Sequence, residues 1–353
     1  MNMIDYLKRT KNFSFEEDPL NEVDSLIFSQ IAYLNFEIFN GRDLIEISEL
    51  SNKKDIDKLV ERTWDQKNNI LLIKQLSKSK RFKNIKIHNP VNIFSSDEEQ
   101  QFSALSFELT DNIMYVSFRG TNSTFVGWKE DLNMTYLDVI PSQQSALHYL
   151  EKISTLSESD FYLGGHSKGG TLAMYAGTFF NDPKRILKIF NYDGPGLNSF
   201  LKETVEYRTA KKKIHKFVPE ASIVGMLIES ESDFHVIKSN SVLIMQHNPY
   251  VWEVANKSFQ KVPSVKALSE YSRRATLAVL QTVDIESREE FIISLYEIST
   301  STNSKYLVDA IKPNSENIKS VLKSIKKIVR SRKILMRVIK LIVKTSVQQI
   351  RTT

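Results

Sequence analysis

The chain has 353 residues, of which 41% are hydrophobic and 25% charged, and it contains no cysteine. This balance is ordinary for a globular protein and is typical of one catalytic-sized core with appended segments. The absence of cysteine excludes disulfides, thiolate nucleophiles and Cys-ligated zinc. The N-terminus lacks an apolar run of signal-peptide length, and no stretch approaches the roughly 18–20 apolar residues of a membrane span. We therefore expect a cytoplasmic protein.

Charge is distributed unevenly along the chain. Residues 304–353 contain thirteen Lys and Arg against two acidic residues, a net charge of +11. Because the whole chain carries +6, residues 1–303 carry −5. Such an asymmetry points to an interaction of the tail rather than to a feature of the fold.

Apolar spacing predicts three regions in chain order. Residues 1–90 are expected to form a helical N-terminal region, with helical spacing over 21–39 and 55–76. Residues 91–265 alternate short apolar runs with helical stretches at 145–154 and 170–180, a pattern that favours a mostly parallel sheet with helices on both faces. The predicted strands are 102–109, 113–118, 161–163, 187–192, 214–218, 234–238 and 242–245. Residues 266–353 are expected to be helical, ending in a basic tail.

The strongest motif follows the run at 161–163 and reads Gly165-His166-Ser167-Lys168-Gly169, a G-x-S-x-G pattern. An apolar run before it and a helical stretch after it are the context of a nucleophile elbow, which projects a serine hydroxyl above a sheet. The alternative is a glycine-rich turn at an ordinary helix. We predict Ser167 as nucleophile and His166 as a packed residue rather than its base. The fold class expected is α/β, with the α/β-hydrolase fold.

A second motif, Arg119-Gly120-Thr121, ends the strand predicted at 113–118. In hydrolases of this type, the oxyanion donors are the N–H after the nucleophile and an N–H from a loop after an earlier strand. We therefore predict the N–H groups of Lys168 and Thr121 as the oxyanion hole, with the Thr121 hydroxyl as a further donor. The alternative is a structural ion pair between Arg119 and Asp131.

The base of the triad follows the acid in the chain order Ser, Asp or Glu, His. His215 and His235 fall within predicted strands, whereas His247 precedes Asn248-Pro249 in a loop. Loops are where a catalytic imidazole is expected. We predict His247 as the base.

The acid is expected at the end of a strand. Asp193 directly follows the strand at 187–192 and begins an Asp-Gly-Pro-Gly turn. We predict Asp193 as the acid, with Glu220 as the second candidate and Asp233 as the third because it precedes its strand. The alternative for Asp193 is a turn-forming role.

Taken together, these motifs resemble a family of bacterial, Firmicutes-type lipase-like proteins of uncharacterised function, related to the class 3, fungal-type lipases. The matching segments cover roughly residues 1–260 and include 118–121 with Trp128 and Asp131, 165–170, 192–196, 222–226 and 246–252. The resemblance implies hydrolysis of carboxylic esters, lipid esters in particular, through an acyl-enzyme and without a cofactor or metal.

This chain departs from the fungal-type pattern at two positions. The element that carries the acid in those lipases looks like residues 222–225 here, with Ser222 where Asp is expected. Asp193 instead matches the acid position of pancreatic-type lipases. Lys168 replaces an apolar residue of the elbow, and its ammonium group is expected to favour an anionic substrate.

The tail pattern is that of a basic amphipathic helix. From Lys319 to Lys344, Lys or Arg recurs at spacings that alternate between four and three, beside an apolar stripe. One interpretation is binding to the anionic inner face of a membrane. The tail has no reader motif or interleaved aromatics, which disfavours nucleic acid. The third interpretation is packing of the apolar stripe on the hydrolase.

Two functional alternatives to an esterase are left open. One is a catalytically inactive hydrolase fold used for binding, which the unusual acid position favours. The other is a membrane-associated protein that acts through its tail.

Overall fold

The computed structural model describes residues 1–39, 41–122, 124–229 and 233–300, and the basic tail lies outside the described residues. The strands are β1 Leu44–Glu46, β2 Lys86–Ser95, β3 Gln100–Thr110, β4 Ile113–Phe118, β5 Asp160–His166, β6 Ile186–Tyr192, β7 Ile214–Pro219, β8 His235–Ile237, β9 Val254–Ala255, β10 Ser258–Phe259 and β11 Lys261–Val262. The α-helices are α1 Met3–Thr10, α2 Glu22–Ile31, α3 Ile56–Leu59, α4 Gln66–Leu76, α5 Phe125–Asn133, α6 Pro141–Leu156, α7 Lys168–Phe179, α8 Ser199–Lys202, α9 Val205–Ala210, α10 Ala267–Thr282 and α11 Ile285–Thr300.

In this part of the chain, nine strands form one mixed sheet in the order β1-β2-β3-β4-β5-β6-β7-β8-β11. The strands from β4 to β8 are parallel, whereas β1 to β4 and the β8–β11 pair are antiparallel. Parallel neighbours need crossover connections, and helices supply them, as with α6 between β4 and β5 and α7 between β5 and β6. The predicted α/β class and the α/β-hydrolase fold are confirmed, and the expected parallel pairing is found in the core of a mixed sheet rather than in most of it.

Alternate residues of the strands pack on opposite faces of the sheet, as the period of two requires. In β4, Val116 and Phe118 join the apolar cluster that contains α6 and α7, whereas Tyr115 joins the cluster that contains α1, α2 and α4. The Tyr115 hydroxyl also donates to the backbone oxygen of Ser25 in α2 at 3.0 Å. Both faces of the sheet are therefore covered by helices.

A buried ion pair fixes α2 beneath the sheet. The Arg81 Nη2 atom lies 2.5 Å from Asp24 Oδ2, and both side chains are fully buried. The Arg81 guanidinium also donates to the backbone oxygens of Ser14 and Asp18 at 3.0 and 2.8 Å. These hydrogen bonds satisfy charges that would otherwise be costly to bury.

Two predictions about local structure differ from what the chain adopts. The run 242–245 was predicted as a strand, but Leu243–His247 form a 3₁₀ helix, and β11 rather than this run pairs with β8. A short apolar run does not by itself distinguish a strand from a single helical turn. In addition, β1 and the start of β2 lie within the N-terminal region that was expected to be helical.

No helix of the described segments combines the length and the apolarity that crossing a bilayer would require.

Candidate active site

The proposed nucleophile lies at a strained turn between β5 and α7. Ser167 has φ 58° and ψ −136°, a conformation that L-residues rarely adopt and that costs on the order of 1–3 kcal/mol. Its backbone N–H donates to the Tyr192 carbonyl at 2.9 Å, and its carbonyl accepts from the N–H of Gly170 at 2.9 Å. This is the geometry of a nucleophile elbow, with Ser167 at the carboxyl end of β5 and the N-terminus of α7.

The two glycines of the motif are required by close backbone contacts. A Cβ atom on Gly165 would lie 2.3 Å from the Gly169 carbonyl, and one on Gly169 would lie 2.1 Å from the Phe118 carbonyl. Backbone atoms cannot move aside without moving the strands themselves. The spacing of G-x-S-x-G therefore reflects the packing of the elbow between β4 and β6.

The loop after β4 lies against Ser167. A Cβ atom placed on Gly120 would be 3.0 Å from Ser167 Cβ and 2.5 Å from the His166 carbonyl. Register explains this proximity, because Phe118 and Gly165 are neighbours in the parallel β4–β5 pair. The structure thus brings Thr121 and Lys168, the two predicted oxyanion donors, to the same edge of the sheet as Ser167.

The side chain of Lys168 is buried and paired. Its Nζ atom lies 2.6 Å from Glu130 Oε2 and donates to the Gln101 carbonyl at 2.9 Å, with both charged side chains buried. Glu130 also accepts from the backbone N–H groups of Gln101 and Ser142. The expectation that the Lys168 ammonium favours an anionic substrate is wrong, because this ion pair ties the elbow to α5.

Asp131 belongs to the same group of charges. Its Oδ1 accepts from the Thr121 hydroxyl at 2.6 Å and lies 3.8 Å from Lys168 Nζ. Burial raises the pKa of Asp131 to about 6, against the opposing effects of Lys168 and Thr121. The Thr121 hydroxyl therefore donates its proton to Asp131, so only the N–H of Thr121 is left as a candidate oxyanion donor. The suggested Arg119–Asp131 ion pair is also wrong, since Arg119 instead donates to Asn92 Oδ1 at 2.8 Å.

Asp193 and His247, the predicted acid and base, are in contact. The His247 Nδ1 atom lies 2.7 Å from Asp193 Oδ2. The other carboxylate oxygen, Oδ1, accepts from the Ser222 hydroxyl and from the Gly225 N–H. Asp193 is fully buried and has φ 51°, so its carboxylate is held by three donors at the end of β6. His247 must donate from Nδ1, which leaves Nε2 as the proton acceptor.

The loop that carries His247 is anchored at both ends. Gln246 accepts at Oε1 from the Ala221 N–H at 2.8 Å, and its backbone carbonyl accepts from Trp252 Nε1 at 2.7 Å. Asn248 Nδ2 donates to Asp65 Oδ2 at 3.0 Å. The His247 ring is thus partly exposed while its backbone is fixed.

His166 lies under the His247 ring, with ring centroids 4.4 Å apart. Its Nε2 is 2.8 Å from the His247 carbonyl, so Nε2 must donate, and its Nδ1 is 3.1 Å from the Tyr33 hydroxyl. Burial lowers the pKa of His166 well below its ordinary value, which makes it neutral. His166 is therefore a packing and hydrogen-bonding residue. Tyr33 was missed by sequence reasoning, since one tyrosine at the end of a helix carries no motif.

The other candidates lie elsewhere. His215 and His235 are near the amino ends of β7 and β8, away from the edge that carries Ser167. Glu220 pairs with Lys266 at 3.1 Å, and Asp233 precedes β8. None of these residues is in contact with His247 in the described segments.

In the described residues, the hydrogen bond between the candidate base and the candidate nucleophile is absent. Among the described residues, the His247 ring hydrogen-bonds to Asp193 but not to the Ser167 hydroxyl. Catalytic hydrogen bonds are often long without substrate and tighten when it binds. The described residues also contain no group of three or more His, Asp or Glu that could hold a metal ion.

Comparison with known proteins identifies a family and distant structural neighbours. The family model described as Mbeg1-like matches residues 76–297. No curated protein sequence matches the chain. The similar solved structures include an MDLA mutant form from Penicillium cyclopium, with 13% identity and a TM-score of 0.42 over 69% of this chain and 87% of that chain.

Two further neighbours are lipase structures. Lipase II from Rhizopus niveus has 16% identity and a TM-score of 0.35, covering 63% of this chain and 88% of that chain. The Rhizomucor miehei lipase propeptide complex has 12% identity and a TM-score of 0.39, covering 70% of this chain and 73% of that chain. All three likenesses are distant.

Proposed function

The chain belongs to the Mbeg1-like family, and we propose that it is a serine hydrolase that cleaves carboxylic esters, with lipid esters as its substrate class. The observation that carries this proposal is the 2.7 Å contact between Asp193 and His247 at the sheet edge where the strained Ser167 lies. A nucleophile, a base and an orienting acid on one edge are the parts of an acyl-transfer site.

In the proposed reaction, the Ser167 oxygen attacks the ester carbonyl carbon while its proton passes to His247 Nε2. Asp193 holds the imidazole in the tautomer that accepts at Nε2 and stabilises the imidazolium. Collapse of the tetrahedral intermediate expels the alcohol, which takes the proton from His247. Water then attacks the acyl-enzyme, again with His247 as base, and the carboxylic acid leaves.

The negative charge that develops on the carbonyl oxygen requires donors fixed in advance. We assign this role to the N–H groups of Lys168 and Thr121. Lys168 is the first residue of α7, where N–H groups lack intrahelical acceptors and the helix dipole is favourable. The Lys168–Glu130 pair and the Thr121–Asp131 hydrogen bond hold these two segments in place.

An apolar surface beside the base favours a lipid ester over a polar one. The run Val242, Leu243, Ile244 and Met245 is separated from His247 by Gln246 alone, and each of its four residues is between 48% and 69% exposed. Four consecutive exposed aliphatic side chains are costly in water unless they meet an apolar partner. An acyl chain, or the lipid surface that contains it, is the partner that a lipid ester would bring.

The second candidate is a hydrolase fold that binds without catalysis. The observation in its favour is the absence of a hydrogen bond between Ser167 and His247 among the described residues. The basic tail, which lies outside the described residues, provides a third candidate, attachment to anionic membrane.

A fluorophosphonate probe distinguishes the first two candidates, because only an activated serine reacts with it. We expect labelling of the full chain at Ser167, loss of labelling in Ser167→Ala, and hydrolysis of short p-nitrophenyl esters by the wild type alone. Thr178→Ala is a matched control, since it removes from the same helix a buried hydroxyl that makes no hydrogen bond among the described residues. A wild-type protein that is folded yet unlabelled would favour the binding candidate.

A further inference from the structure

A cavity of about 180 Å³ lies beside the loop after β4, which carries Arg119, Gly120 and Thr121. Its walls are apolar at Phe36, Val91 and Leu105, and polar at Glu37, Asn92 and Arg119. Nothing in the proposed ester chemistry uses this space. Its size suits a small polar group rather than a long acyl chain.

Arg119 brings a positive charge to the cavity. Guanidinium carries five N–H donors. Among the described residues, the side chain of Arg119 makes one hydrogen bond, to Asn92 Oδ1 at 2.8 Å, and no ion pair within 4.0 Å. Burial lowers its pKa to about 10, which still leaves it a cation at neutral pH. The charge of Glu37, in the same cavity, acts in the opposite direction on this pKa. The N–H donors that Arg119 does not use on Asn92 can bind a further anion through charge-assisted hydrogen bonds.

The cavity is joined to the proposed nucleophile through the chain itself. Arg119 lines the cavity, and the next residue, Gly120, abuts Ser167, with 3.0 Å between its Cβ position and Ser167 Cβ. Tyr33, which contacts His166, likewise precedes Leu34 in the cavity wall. Two residues of the cavity wall are therefore chain neighbours of residues that contact Ser167 or His166.

We propose that this cavity binds an oxyanion group, a phosphate or a carboxylate, carried by the ester substrate, with Arg119 as its ligand. The inference rests on the proposed esterase function and narrows it to esters of acidic compounds. Planar guanidinium donates two parallel hydrogen bonds to such groups, a geometry that lysine cannot reproduce.

Glu37 opposes this arrangement in part. It lines the same cavity and accepts from Asn92 Nδ2 at 2.6 Å. Its charge would repel an oxyanion placed close to it, so the bound group must lie on the Arg119 side. Removing that charge with Glu37→Gln is expected to lower KM for acidic esters.

The kinetic test compares esters that differ only by an acidic group. One pair is the 4-nitrophenyl monoester of glutaric acid against 4-nitrophenyl pentanoate, and the other is the butyrate of glycerol 3-phosphate against monobutyrin. We expect KM to be about tenfold lower for the acidic member of at least one pair, with little change in kcat, as for a charge-assisted hydrogen bond outside the reacting atoms. A lower KM in the glutarate pair would identify a carboxylate as the bound group, and a lower KM in the glycerol phosphate pair would identify a phosphate.

Variants assign that preference to the cavity. Arg119→Gln should abolish it, and Arg119→Lys should retain part of it. Val91→Phe, which fills the cavity and keeps the arginine, should also abolish it. Arg274→Gln removes the same charge from the exposed side of α10 and should leave the preference intact. No preference in the wild type, or an unchanged preference in both Arg119→Gln and Val91→Phe, would overturn the inference.

A binding measurement separates this inference from the proposed function, because it needs no turnover. Glycerol 3-phosphate, glutarate, glycerol and inorganic phosphate are titrated by calorimetry into the full chain with Ser167→Ala. Saturable binding of glycerol 3-phosphate or glutarate, lost on adding Arg119→Gln, would support the cavity even if no ester were hydrolysed. Binding of none of them, or of inorganic phosphate as tightly as the organic anions, would overturn it.

Discussion

The hydroxyl of Ser222 donates to one carboxylate oxygen of Asp193 while the other oxygen of Asp193 faces His247. Ser222 occupies the position at which the resemblance to fungal-type lipases leads one to expect the acid. The two candidate positions for the acid are therefore adjacent in space, at the ends of β6 and β7. Here the carboxylate comes from β6 and the supporting hydroxyl from β7.

This arrangement predicts unequal effects of two substitutions. Asp193→Asn should lower kcat for a short p-nitrophenyl ester by about 10⁴, the order found when a triad loses its orienting carboxylate. Ser222→Ala should lower kcat by only about tenfold, because the Gly225 N–H still holds Asp193. A larger loss from Ser222→Ala than from Asp193→Asn would exclude Asp193 as the acid.

The base is tested by comparing three histidines. His247→Ala should lower kcat as severely as Ser167→Ala, since members of a triad act as a unit and their losses do not add. His215→Ala and His235→Ala are the controls and should retain most of the activity, because both lie near the amino ends of their strands. The opposite ranking would assign the base to another histidine.

The buried pair of Lys168 and Glu130 predicts a stability effect. Lys168→Met leaves the Glu130 charge uncompensated and should reduce the free energy of unfolding by about 3–5 kcal/mol in urea denaturation. Lys266→Met breaks an exposed pair with Glu220 and should cost less than about 1 kcal/mol. The double change Lys168→Met with Glu130→Gln should recover part of the loss, because it removes the unpaired charge while an amide oxygen can still accept from the Gln101 and Ser142 N–H groups. Equal effects of Lys168→Met and Lys266→Met would contradict the burial argument.

Asp131 predicts a pH dependence of stability. Burial raises its folded pKa to about 6 from an ordinary value of 3.8, so its protonated form favours the folded state. That contribution is fully present below about pH 4 and is lost as pH rises through 6. The stability of Asp131→Asn relative to wild type, measured as the difference in the free energy of unfolding, should therefore increase from pH 4 to pH 8. A difference independent of pH would contradict this assignment.

We predict that the basic tail attaches the protein to membranes that contain anionic lipid. Removing residues 318–353 should abolish binding to vesicles that contain anionic lipid and leave turnover of soluble esters nearly intact, because in the helix predicted from the sequence the basic residues would be attracted to the lipid and the apolar stripe would insert. Added salt should weaken binding by the intact chain. Replacing the Lys and Arg residues of the stripe from 319 to 344 by Gln is a control that preserves length. Loss of folding on truncation would show instead that the stripe packs on the hydrolase.

The sequence was informative where chemistry depends on local spacing. Five residues, Gly165 to Gly169, predicted a turn that only small neighbours permit, and the strained φ of Ser167 agrees with that reason. The position of Asp193 after a strand and of His247 in a loop likewise followed from turn residues near them in sequence. Alternating strands and helices determined the fold class, because parallel strands need covered crossovers.

Other features depended on contacts between distant segments, which no local pattern contains. In the sequence, Lys168 is a cation next to the proposed nucleophile. In the structure, its partner is Glu130 on α5, which lies 38 residues earlier in the chain. The apolar run 242–245 was predicted as a strand, but β11 is the strand that pairs with β8. Tyr33 and Arg119 acquire their surroundings only when α2, β3 and β5 come together. The sequence by itself determined which residues could do chemistry, since that depends on residue type and backbone strain, and the tertiary structure decided which charges meet, since electrostatic partners are chosen by distance in space.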